Sequence, residues 1–120
     1  MKRDLLLADD DDLLRASLTD MLCDDGYDVT QASDGNEAIE VVNRHRFDIA
    51  ILDVRMPGAS GIDVLEHIKE RSRATKVVML TAYADLATAM KVRRLGADEF
   101  IGKPYDYEEL RIVLDRLFPG

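Results

Sequence analysis

Five side chains with chemistry to offer fall where apolar runs of the sequence stop. Asp53 closes FDIAILD, Asp9 and Asp10 follow LLLA, Thr81 closes KVVMLT, and Lys103 closes EFIGK. A carboxylate in such a place can attack as a nucleophile or ligate a cation through oxygen. A lysine can neutralise an anion and a hydroxyl can donate to one. If the runs are neighbouring strands of one sheet, all five groups crowd its carboxyl edge, where open α/β sheets collect ligands. Three carboxylates gathered there repel one another unless one is protonated or a cation joins them. Mg²⁺ suits the demand, being a hard ion that takes oxygen ligands and is commonly held by one or two carboxylates together with phosphate.

The elements that must position these groups can be read from periodicity and punctuation. Residues 5 to 8 form a short apolar strand. A helix then runs to about Asp25, with Leu14, Leu18, Met21 and Leu22 at helical spacing and Gly26 as the stop. Tyr27 to Ala32 alternates as a half-exposed strand does, and Asp34 with Glu37 reads as a capping box opening a second helix through Ala38, Ile39, Val41 and Val42. The central run ends at Asp53, Pro57 and Gly58 break the backbone, and Ser60 with Asp63 starts a third helix over residues 61 to 71. Strand 76 to 81, helix 84 to 95 with Gly96 behind it, and strand 99 to 103 follow. Asp106 and Glu109 then cap a last helix to about Phe118.

Five strand–helix units with right-handed crossovers predict a parallel sheet with helices on both faces, a (βα)5 three-layer sandwich. The first, third and fourth strands are apolar on both faces and belong inside. The second alternates and the fifth is short and holds Gly102, so both suit edges. Strand order 2-1-3-4-5, that of flavodoxin-like folds, satisfies both conditions.

A chain of 120 residues with 47% hydrophobic content predicts one domain, residues 1–120, with a single packed core. No apolar run reaches the length of a signal segment or a membrane span, so a soluble cytoplasmic protein is expected. Cys23 is alone, excluding an internal disulfide, and is read as packing in the first helix. His45 and His67 lack ligand spacing and are read as surface residues. The formal charge of −8 lies entirely in the first half: residues 1 to 60 hold 14 acids and 6 bases, residues 61 to 120 hold 10 of each. That balance opposes direct binding to a nucleic-acid backbone. Asp11 and Asp12, further from the strand end, read as an acidic helix start favoured by the helix dipole.

The segments LLLADDDD, ILDVRMPGASG, VVMLTA and FIGKPY, in this order and spacing, resemble the response-regulator receiver domain of two-component signalling, over nearly the whole chain from Leu5 to Phe118. The resemblance implies that Asp53 is the phosphoacceptor, that Asp9, Asp10, Asp53 and the backbone carbonyl of Arg55 hold Mg²⁺, and that Lys103 contacts the phosphoryl group. It makes Thr81 the switch hydroxyl and Phe100 the switch aromatic, and implies a cis Lys103–Pro104 bond. Arg55 and Tyr83 fall at places that tune phosphate lifetime in this family. Tyr105 stands where phenylalanine is common, and Phe100 lacks the hydroxyl that a switch tyrosine offers.

The expected partner is a sensor histidine kinase or phosphotransfer protein. An output domain or a second copy is expected to use the 84–118 face, where Lys91, Arg93 and Arg94 supply charge. The expected activity is self-phosphorylation and self-dephosphorylation rather than enzymatic turnover. Three other readings compete. A phosphatase resembling the haloacid dehalogenases would carry a second aspartate where Arg55 stands. A flavodoxin-like flavin carrier would not place four aspartates after its first strand, where they repel the flavin phosphate. A degenerate receiver serving as an adaptor would lack site residues that are all present here.

Overall fold

The structure is a computed structural model describing residues 2–82 and 85–118. Five strands and five helices alternate: β1 (Asp4–Ala8), α1 (Asp12–Asp24), β2 (Asp28–Ala32), α2 (Gly35–Arg44), β3 (Ile49–Asp53), α3 (Gly61–Arg71), β4 (Lys76–Thr81), α4 (Leu86–Arg94), β5 (Glu99–Gly102) and α5 (Tyr107–Leu117). All pairings are parallel and the strand order is β2-β1-β3-β4-β5, as the apolar patterning predicts. The short β5 and the half-exposed β2 form the edges. Tyr83 and the first residue of the expected 84–95 helix lie outside the described residues.

Successive strand side chains point to opposite faces, and here both faces are covered. Leu6, Ala50, Leu52, Val77 and Met79 pack against Ala38, Val42, Val64, Leu65, Ile68 and Val92 of α2, α3 and α4. Leu5, Leu7, Ile49, Ile51, Val78 and Leu80 pack against Leu18 and Leu22 of α1 and Leu110, Val113 and Leu114 of α5. The middle of the sandwich is therefore apolar, and the polar residues of β1, β3 and β4 gather at the strand ends.

Side chains start each helix. Asp11, Asp34, Ser60, Asp85 and Asp106 each accept a backbone N–H from the first turn. Ser60 and Asp63 complete a reciprocal capping box. Glu37 reaches one residue further back than such a box requires, accepting from Ser33 N–H at 2.8 Å.

Two expectations about α1 are corrected. Cys23 is exposed rather than packed, and Met21 is 37% exposed. The buried seam of α1 is Leu18 and Leu22, one helical turn apart, and each residue turns about 100° from the one before it, which carries Cys23 off the seam. His45 is exposed, whereas His67 is half-buried and bonded through Nε2 to Asn43 Oδ1 at 2.7 Å.

Candidate functional site

β1 and β3 are direct neighbours, with Ala8 opposite Leu52, so the residues that follow each strand meet at one edge. Asp9 is 2% exposed and Asp53 8%, while Asp10 is open to solvent. Carboxylate oxygens of Asp9, Asp10 and Asp53 lie within 4.8 Å of one another. Lys103 reaches across from beyond β5 to join them: its Nζ donates to Asp9 Oδ2 at 2.9 Å and to Asp53 Oδ2 at 3.0 Å. The lysine is placed by its own backbone, whose N–H donates to the Thr81 carbonyl at 2.8 Å, and the Lys103–Pro104 bond is cis.

The electrostatics follow from this crowding. Burial pushes the Asp53 carboxyl above its ordinary range, and the nearby Asp9 charge pushes the same way; the hydrogen bond and charge of Lys103 offset only part of this. Burial alone would favour loss of the Lys103 proton. Its hydrogen bonds to Asp9 and Asp53 and the charges of those carboxylates together outweigh that, and its pKa lies above the ordinary value.

Thr81 is fully buried at the carboxyl end of β4, one residue past the position that pairs with Asp53. Phe100 pairs with Met79, deeper in the sheet, and its half-buried ring lies against the cluster beneath α2, α3 and α4. The structure thus brings Asp9, Asp10, Asp53 and Lys103 into one cluster with Thr81 at the same edge, and leaves Phe100 away from it. Arg55 is exposed, and its backbone N–H donates to Asp53 Oδ1 at 3.3 Å, folding the turn back over the carboxylate.

Arg15 is a supporting residue that the motif reading misses. Its Nη1 donates to the Asp9 carbonyl at 2.6 Å, Nη2 pairs with Asp12 at 2.8 Å and Nε donates to Gln31 at 3.1 Å. Asp9 Oδ1 also accepts from Asp11 N–H at 2.9 Å, so the acidic turn is tied from both sides. The available signal was the helical i, i+3 spacing of Asp12 and Arg15.

Fold and edge together define a doubly wound, flavodoxin-like (βα)5 domain with an acid-and-lysine cluster at the carboxyl ends of its inner strands. The family model of the response regulator receiver domain matches residues 5–115, and the chain belongs to that family. It is 31% identical over 119 residues to sporulation initiation phosphotransferase F of Bacillus subtilis (strain 168), an alignment covering 99% of this chain and 96% of that protein. It is 31% identical over 112 residues to regulatory protein AtoC of Escherichia coli (strain K12), covering 93% of this chain but only 24% of AtoC. The solved response regulator protein TrrA from Thermotoga maritima, in complex with Mg²⁺-BeF, superposes with a TM-score of 0.87 at 31% identity, covering 98% of this chain and 100% of that one. Among the described residues no helix is long and apolar enough to cross a membrane.

Proposed function

We propose that Asp53 is the phosphoacceptor of this receiver domain and that residues 1–120 act as one signalling unit. The observation that carries the reading is the Asp53 carboxylate at the end of the central strand, bonded to Lys103 and within ligand distance of Asp9 and Asp10. An Asp53 oxygen attacks the phosphorus of a phosphohistidine on a partner kinase or phosphotransfer protein. The Oδ–P bond forms, the P–N bond breaks, and its electron pair leaves with the imidazole. Hydrolysis of the acyl phosphate later returns the carboxylate and inorganic phosphate. One phosphoryl group per signalling event makes the domain a carrier rather than a turnover enzyme, at work in the cytoplasm.

The donor set fits Mg²⁺. Three carboxylates whose oxygens approach within 4.8 Å, one of them exposed, are hard ligands with room left for water. Asp9, Asp10, Asp53 and the Arg55 carbonyl would hold the ion, which supplies positive charge to the phosphoryl oxygens. Lys103, already bonded to Asp53 Oδ2, would supply a second positive group. Thr81 donates its hydroxyl to the phosphoryl group, and Phe100 turns into the space this vacates, altering the face formed by α4, β5 and α5. That face is where an output domain or a second copy docks.

With Mg²⁺ and acetyl phosphate the protein is expected to gain one phosphoryl mass, labile to hydroxylamine, and Asp53→Asn to gain none. Incorporation in that variant would place the acceptor elsewhere. Thr81→Ala is expected to accept the group, yet to lose the beryllofluoride-induced amide shifts across residues 85 to 103. Shifts as large as in the unmutated protein would remove Thr81 from the switch and leave Asp53 in place.

A further inference from the structure

The turn between β3 and α3, residues 54–60, carries the Arg55 carbonyl and the amide that folds over Asp53, and it contains Pro57 and Gly58. Val54 at its start is buried in the core, and its exposed middle, Pro57 and Gly58, is held from outside by the starts of two helices. On one side stands Gly61, whose N–H donates to the Val54 carbonyl at 2.8 Å and where a Cβ would lie 1.9 Å from the Asp53 carbonyl oxygen. On the other stands Gly35, the buried first residue of α2. Its N–H donates to the Pro57 carbonyl at 3.4 Å, and a Cβ there would lie 1.7 Å from the Ala59 carbonyl oxygen and 2.5 Å from its carbon. Beside this contact the Asn36 side chain lies over Gly58, with Nδ2 2.5 Å from where a Cβ would stand.

Gly35 does not have a positive φ, so backbone conformation does not require glycine there. The requirement is close approach, and the atoms approached are backbone, which cannot swing aside as the end of a side chain can. Any added atom must therefore move α2 or the turn. The start of α2 is fixed by Asp34 and Glu37 and by the buried Ala38 and Val42. The turn is anchored at its start by the buried Val54 and at its end by the Ser60–Asp63 capping box, and its middle, with Pro57 and Gly58 exposed, is held least. That middle is what yields.

We propose that Gly35 is a positioning residue for the acidic site: its missing side chain lets the start of α2 press residues 57–59 against α3, which holds the Arg55 carbonyl and Asp53 at fixed separation. The inference rests on the proposed Mg²⁺ site for its functional readout, and on the turn alone for its structural one.

The test compares Gly35→Ala with Gly26→Ala. Gly26 has φ +97° and nothing within 4 Å of a Cβ, so alanine there strains the chain without touching the turn. Mg²⁺ affinity by calorimetry and amide exchange of residues 54–61 in metal-free buffer are measured for both. Gly35→Ala is expected to lose about tenfold in Mg²⁺ affinity, as loss of a group that orients a ligand commonly costs, and to exchange faster across the turn. Gly26→Ala is expected to lose stability with both readouts unchanged. Gly35→Ala with unmutated affinity and exchange, or an equal change in Gly26→Ala, would overturn the proposal. If the unmutated protein binds no Mg²⁺, the metal reading fails and the exchange comparison alone decides the clamp. If Gly35→Ala does not fold, Asn36→Ala takes its place, with exchange of residues 57–59 expected to rise; no rise would overturn the clamp.

Discussion

The two acidic turns that meet at the carboxyl edge are held by different means. The turn after β1 is fixed by side chains: Arg15 on the Asp9 carbonyl, Asp9 on the Asp11 amide, Asp11 on the start of α1. The turn after β3 is fixed by the buried Val54, whose N–H donates to the Leu80 carbonyl at 3.2 Å, and by backbone pressed on backbone at Gly35 and Gly61. The first kind of hold depends on charge and weakens with salt where it is exposed. The second is mainly steric, with one hydrogen bond from the Arg55 N–H to the Asp53 carboxylate. One site therefore combines a wall that answers strongly to its electrostatic surroundings with one that answers less, and Lys103 bonds to Asp9 on the first and to Asp53 at the root of the second.

Removing Lys103 should disturb both turns and gives the largest expected effect. Lys103→Met leaves Asp9 and Asp53 facing each other without their cation, and a loss of about 2 kcal/mol in metal-free buffer is expected for an incompletely buried pair of this kind. Mg²⁺ should restore most of it. Because the pKa of Lys103 is raised in the folded protein, its contribution is complete below the ordinary value of 10.5 and disappears as pH rises through the folded value. Denaturant titrations at several pH values should therefore show the gap between variant and unmutated protein closing above that point. A constant gap would mean that the lysine contributes packing rather than charge.

Arg15→Ala separates the two turns. A loss of about 1 kcal/mol is expected, the scale of a few partly exposed hydrogen bonds. Hydrogen exchange should quicken at residues 9–12 and stay unchanged at 54–61. Equal quickening in both would show that the turns form one mechanical unit. The smallest effect is expected from Asp10→Asn, which relieves repulsion in the metal-free protein by on the order of 1 kcal/mol or less at so exposed a position. Calorimetry should find weaker Mg²⁺ binding in this variant, and an undiminished affinity would exclude Asp10 as a ligand.

The same contrast explains what could be read from the sequence. Strand order follows from which runs are apolar on both faces, because burial on two sides confines the polar residues of β1, β3 and β4 to the strand ends. The cluster at Asp9, Asp10, Asp53 and Lys103 followed because topology alone sends strand ends to one edge. Arg15 was legible only as a helical pair with Asp12; its bond to a carbonyl six residues back depends on how the turn folds. Gly35 carries no pattern at all, since a glycine needed for close approach and one that merely begins a helix look alike. Cys23 and Met21 were misplaced because a seam only two residues wide was read as broader.

The bond between Lys103 and Asp9 joins residues 94 positions apart. During synthesis the three acids are made in the first half of the chain, whereas their lysine emerges only after all five strands. A growing chain that has reached β4 holds the carboxylates without their built-in counter-charge. If Asp53 is the phosphoacceptor proposed above, a chain stopped before Lys103 would lack the cation of its acceptor site.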